Sequence, residues 1–290
     1  TEDAKRMWEH FVEKGVAKVV EPFVDAGDGK YSGRYEIKSI EELSEGAHIK
    51  PLYRGAWVDQ IHEGDQIPVG GSIFDEQYGI TLEVDTEWMK GKTDKFTREA
   101  LDQLYNSANG QKIKKWVEEN DIKIDPQLLH HLMYVQKKTE SLLEVSDSED
   151  SDGRRERYFN GEQAKLSDFI GKAECAEKAV VGKLLLDKIG VNSSFMAGVH
   201  VDGKNETPFE HAFLILENSQ NDGSYVFDIA RPKASMDGYP RILESSRKIS
   251  HETFEGKKNF VVPTTDIYNG STIYYGVGSE TLVQDINFSD

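Results

Sequence analysis

Between Ala176 and Ile189, apolar residues take up so much of the helical circumference that the segment needs protein on most sides. Ala176, Ala179, Val180, Leu184, Leu185 and Ile189 form an unusually wide face, and a helix apolar nearly all round belongs in a core. Gly190 is placed as the C′ residue that stops it. Three β-rich runs follow, FMAGVHV, EHAFLILE and SYVFDIARP, separated by the polar turns DGKNET and NSQNDG. Further strands are expected in NFVVPT and TIYYGVG. A central helix followed by an antiparallel strand series predicts an α+β fold.

Upstream the pattern is mixed. Met7, Phe11, Val12, Val16 and Val19 recur at helical spacing, which predicts a helix over residues 2–20. A turn is expected at Gly27-Asp28-Gly29-Lys30. Short β segments then run from Tyr35 to Val84, punctuated by Gly, Pro and Asp. Helical period returns over 96–120 and 126–144. The acidic, low-complexity stretch from Ser146 to Gly153 reads as an exposed loop or linker. It divides the chain into a mixed helix/strand region, 1–150, and a second domain, 151–290.

The formal net charge of −17 argues against a nucleic-acid partner, which needs clustered Lys and Arg, and against docking on anionic lipid. No apolar run approaches the roughly 20 residues needed to span a bilayer. One cysteine excludes a disulfide framework within the chain and fits a reducing compartment. Thr1 to Lys14 is amphipathic and charged, unlike a signal peptide. The expected location is the cytoplasm, with export after loss of a leader as the other expectation. Composition leaves the oligomeric state open.

The lone cysteine, Cys175, falls at the head of the buried helix. A helix N-terminus favours a thiolate, and a neighbouring imidazole completes the activation. His211 lies near the start of EHAFLILE, where strand alternation sends it to the same face as Phe213 and Ile215. Asp228 ends the YVFD run, in the strand expected to pair with the histidine strand through the NSQNDGS hairpin. A carboxylate there can hold the imidazole in one tautomer. Read against packing alone, a lone cysteine is ordinarily a small buried hydrophobe. The order Cys, His, Asp on these elements favours chemistry.

Those runs, GKAECAEKAVVGKLLLDKIGV, FMAGVHV, EHAFLIL and YVFDIARP, resemble the core of the transglutaminase-like superfamily, within the papain-like fold. The correspondence covers residues 173–232 and rests on Cys175 opening the helix, Lys188-Ile189-Gly190-Val191 closing it, Ala197-Gly198, His211-Ala212 and Asp228. The resemblance implies a buried helix carrying the cysteine packed on an antiparallel sheet. It implies Cys175 as nucleophile, His211 as general base and acid, and Asp228 as orienter. The implied activity is thiol-dependent amide chemistry on a protein or peptide: peptidase, glutamine deamidase or transglutaminase. The alternative is a non-catalytic binding module that keeps the fold. The family commonly carries Trp near these residues, whereas all four Trp here precede residue 120; Phe213 and Phe227 stand in their place. The oxyanion donor is open, with Gln163, Asn160 and Tyr158 as side-chain candidates beside the Cys175 N–H.

No cofactor is expected. His200, Asp202 and His211 lack metal-ligand spacing. Asp150, Asp152 and Gly153 imitate a calcium loop, but Phe159 stands where the final Glu is required. Gly182-Lys183 lacks the remainder of a phosphate loop. His130 and His131, adjacent on a helix, are expected to be one exposed and one packed.

Overall fold

The computed structural model describes residues 17–25, 31–37, 49–52, 55–69, 81–144, 164–203, 206–219, 221–230, 239–278 and 287–288. The acidic stretch from Ser146 to Gly153, the turn at Gly27 to Lys30, and Tyr158, Asn160 and Gln163 lie outside the described residues, as does the expected helix up to residue 16. Its last residues are a strand instead: β1 (Ala17–Asp25) pairs antiparallel with β2 (Tyr31–Ile37). The run AKVVEPFV holds two adjacent valines and a proline, which suit an extended chain better than a helix interior.

Strands β3 (Ile49–Leu52) and β4 (Gly55–Val58) form a tight antiparallel pair. β5 (Gln66–Pro68), β6 (Thr81–Glu83) and β7 (Ala164–Lys165) make a small separate sheet. Among the described residues, three α-helices come between β6 and β7: α1 (Arg98–Tyr105), α2 (Ala108–Glu119) and α3 (Pro126–Leu143). The helical stretch expected over 96–120 is thus two helices. The Asn106 side chain caps the Asp102 carbonyl at 2.9 Å, and a Cβ on Gly110 would sit 2.1 Å from the Tyr105 carbonyl oxygen, so the chain turns here at close quarters. Asp125 starts α3 by accepting from the Leu128 N–H at 2.8 Å, with Pro126 in the first turn, where its missing N–H costs nothing.

The second half builds the main body. α4 (Cys175–Lys188) leads into β8 (Ser193–Val201), β9 (Phe209–Asn218), β10 (Gly223–Asp228) and β11 (Arg241–Ser245). A single-turn α5 (His251–Phe254) precedes β12 (Phe260–Asp266) and β13 (Thr272–Val277), and a short β14 (Asn287–Phe288) lies parallel to β12. Strands β8 to β13 pair antiparallel in sequence order, and β13 returns to β8, closing a six-stranded barrel. The β8 edge facing β13 is shared. Val199 to Val201 pair with β13, while Phe195 to Ala197 pair with β4. Strands from both sides of residue 150 therefore belong to one hydrogen-bonded sheet.

Alternation along the strands gives the barrel two apolar surfaces. Met196, Phe213, Ile215, Val226, Leu243, Val262 and Tyr275 come from all six strands and fill the interior. Ala212, Leu214, Leu216, Tyr225 and Phe227 point outward, into the core shared with Ala176, Ala179, Val180 and Leu185 of α4. α4 packs on β8 and β9 on one side and on α3 on the other, which is why its apolar residues run so far round. Its end is a Schellman motif: Gly190 has φ +69°, its N–H bonds the Asp187 carbonyl at 3.0 Å, and the Val191 N–H bonds the Leu186 carbonyl at 2.9 Å.

Candidate active site

Cys175 is the first residue of the 14-residue α4 and is half-buried at the helix mouth. That turn also carries Glu174 and Glu177 in a capping box, the Glu174 N–H donating to Glu177 Oε2 at 2.9 Å. Two carboxylates at the helix head offset the positive end of its dipole. Activation of the thiol therefore falls chiefly on its imidazole neighbour.

That neighbour is His211, whose cross-strand partner is Gly198. A Cβ on Gly198 would lie 2.2 Å from the Gly276 carbonyl oxygen and 3.1 Å from the Met196 methyl. Only glycine lets β13 approach β8 this closely where the barrel closes. His211 and Asp228 stand on adjoining strands as diagonal neighbours, within reach of one another. His211 Nε2 lies 2.8 Å from Asp228 Oδ1. An ionised carboxylate only accepts, so Nε2 carries the proton. Cys175 also acts on the imidazole, through its side-chain hydrogen bonding and its charge, both of which favour the imidazolium.

The structure brings Cys175, His211 and Asp228 together, and it surrounds the carboxylate with groups that strand alternation alone does not reveal. The Tyr275 hydroxyl donates to Asp228 Oδ2 at 2.9 Å. Arg241, directly across from Asp228 on β11, has Nη1 3.9 Å from Oδ2 and Nη2 3.6 Å from Asp202 Oδ1. His200 is buried edge-on to His211, ring centroids 4.9 Å apart, and stacks on Phe209 at 5.5 Å.

The electrostatics follow from this enclosure. Burial by itself opposes a charge on His211, but the charge and hydrogen bond of Asp228, with the Cys175 contact, outweigh it and lift the pKa to about 10. Burial likewise opposes ionisation of Asp228, and the His211 charge and hydrogen bond, Arg241 and Tyr275 together hold it well below the ordinary carboxylate range. The two groups are charged together at neutral pH. A cationic ring beside a half-buried sulfur can stabilise a thiolate and can later deliver a proton.

Other expectations are corrected or placed elsewhere. His130 and His131 are both buried, because α1 covers this part of α3: His130 lies against Tyr105 of α1 and Tyr134 of its own helix, and His131 Nε2 is 3.0 Å from Asp102 of α1. His200 Nε2 is 3.8 Å from Asp202, and no group of three or more His, Cys, Asp or Glu among the described residues could hold a metal ion. A groove of about 710 Å³ lined by Trp57, Lys183, Asp187 and Glu217 lies toward the far end of α4 and includes none of the three residues. No helix among the described residues is long and apolar enough to cross a membrane. No protein-family model, curated protein or solved structure matches this chain.

Proposed function

We propose that the chain is a cysteine hydrolase or acyltransferase that acts on amide carbonyls of a protein or peptide, with a transglutaminase-like core. The observation that carries the reading is a buried imidazole–carboxylate pair, His211 and Asp228 at 2.8 Å, that interacts with the thiol in the first turn of a helix. Asp228 holds the ring; His211 exchanges the proton; Cys175 attacks.

In the first half-reaction the thiolate bonds to the carbonyl carbon, and the π pair moves to oxygen. The Cys175 N–H, in the first turn of α4, is our candidate donor to that oxygen; Gln163, Asn160 and Tyr158 stay candidates for a second donor. Collapse expels the amine, which takes its proton from the His211 imidazolium and leaves a thioester. In the second half-reaction His211 removes a proton from water or from an acceptor amine as that nucleophile attacks. Collapse then releases acid or new amide and regenerates the thiolate. Water gives peptidase or deamidase activity, an amine gives transamidation.

The test is alkylation of the single thiol by iodoacetamide across pH. Cys175 is expected to react with a midpoint well below pH 8, and His211→Ala to abolish that advantage. A midpoint near the ordinary thiol value of about 8.5, unchanged by His211→Ala, would refute the enzyme and favour a binding module. Ammonia release from a glutamine-bearing protein, peptide cleavage and amine incorporation then separate the three reactions, and each is expected to vanish in Cys175→Ala.

A further inference from the structure

Asp228 has two oxygens, and the structure uses both. Oδ1 takes the His211 Nε2–H, and Oδ2 takes the Tyr275 hydroxyl at 2.9 Å. In the closed order β8 to β13, strands β10 and β13 are three places apart by either route, so they form opposite walls. The bond from Tyr275 to Asp228 thus crosses the barrel interior. The ring that delivers it is fully buried, edge-on to Phe213 at 4.8 Å and within 6.1 and 6.4 Å of the His200 and His211 centroids. Packing on three sides fixes where the hydroxyl can be.

We propose that Tyr275 is a positioning residue for the thiol site, clamping Asp228 from across the barrel so that His211 keeps its orientation toward Cys175. The role rests on the reading of Cys175, His211 and Asp228 as the reacting constellation. A carboxylate anchored at one oxygen can swing about its Cβ–Cγ bond, while one anchored at both has a fixed plane, and the imidazole bonded to it inherits that orientation. Arg241 Nη1, at 3.9 Å, lies beyond hydrogen-bond length. Without the tyrosine hydroxyl the carboxylate is free to turn toward that guanidinium and lengthen its contact with His211. Burial, which disfavours the imidazolium, then gains ground, and the His211 titration moves downward.

Tyr275→Phe keeps the ring and removes the hydroxyl. Two readouts are taken on folded protein: the pH profile of iodoacetamide alkylation, and the His211 imidazole nitrogens by NMR titration. The variant is expected to move the His211 titration down by about one pH unit and to slow alkylation at pH 6 about tenfold. Tyr274→Phe, on the opposite face of the same strand against Val199 and Val261, should alter neither. Identical profiles for Tyr275→Phe and the unaltered protein would overturn the proposal. An ordinary thiol profile in the unaltered protein removes the amide chemistry alone, because the imidazole titration still decides the clamp. If Tyr275→Phe does not fold, the unaltered protein decides. A slowly exchanging Tyr275 hydroxyl proton whose shift follows His211 supports the clamp, and a rapidly exchanging one overturns it.

Discussion

A buried ion pair writes its signature into the pH dependence of stability. The His211 pKa is raised in the fold, so its contribution is complete below the ordinary imidazole value of 6.5 and is lost as pH rises through about 10. The Asp228 pKa is depressed, so its contribution is complete above the ordinary carboxylate value of 3.8 and is lost as pH falls below it. The pair should therefore stabilise most between about pH 4 and 6.5. Thermal melts across pH should show this plateau in the unaltered protein and lose its alkaline fall in His211→Ala. Asp228→Ala leaves an imidazolium buried without its counter-charge and is expected to cost on the order of 3 kcal/mol by denaturant melting at pH 6. His211 and Asp228 were readable from period-two alternation and one hairpin. Tyr275 was not, because 47 residues separate it from Asp228 and only barrel closure brings them together.

Among the elements, α4 shows how a helix can be buried over most of its circumference, the charged Glu177 and Lys183 included. It is wedged between β8–β9 and α3, and Leu214 beneath it is fully buried. Leu214→Ala should cost about 3 kcal/mol in a denaturant melt while leaving the alkylation midpoint in place, which separates the seat of the helix from its chemistry. α3 carries a different burden. Burial of His130, with the nearby His131 and Lys137 charges, lowers its pKa to about 4. A histidine kept neutral in the fold contributes stability above 6.5 that is lost as pH falls toward 4. His130→Gln should flatten that part of the acid limb. The helix itself was legible from its stripe of leucines, whereas the burial of both histidines depends on the helices packed around α3.

Across the whole molecule, β4 and β13 occupy consecutive halves of one edge of β8. A chain begun after residue 150 would leave Phe195 to Ala197 with open backbone groups and would lack Trp57, which packs with the barrel interior. Such a truncation is expected to lose cooperative unfolding in circular dichroism. The strands of this sheet were mostly legible as strands, but the partnership of β4 with β8 was not, because nothing local to residues 55–58 marks a partner near residue 196. The closure on β13 also carries a consequence in time. During synthesis, the cysteine, histidine and aspartate all leave the ribosome before Tyr275 does, and contacts between distant parts of a chain form late. A chain made as far as β12 but short of β13 therefore holds Cys175, His211 and Asp228 without the strand that closes the barrel, and its thiol is expected to differ in reactivity from that of the finished protein.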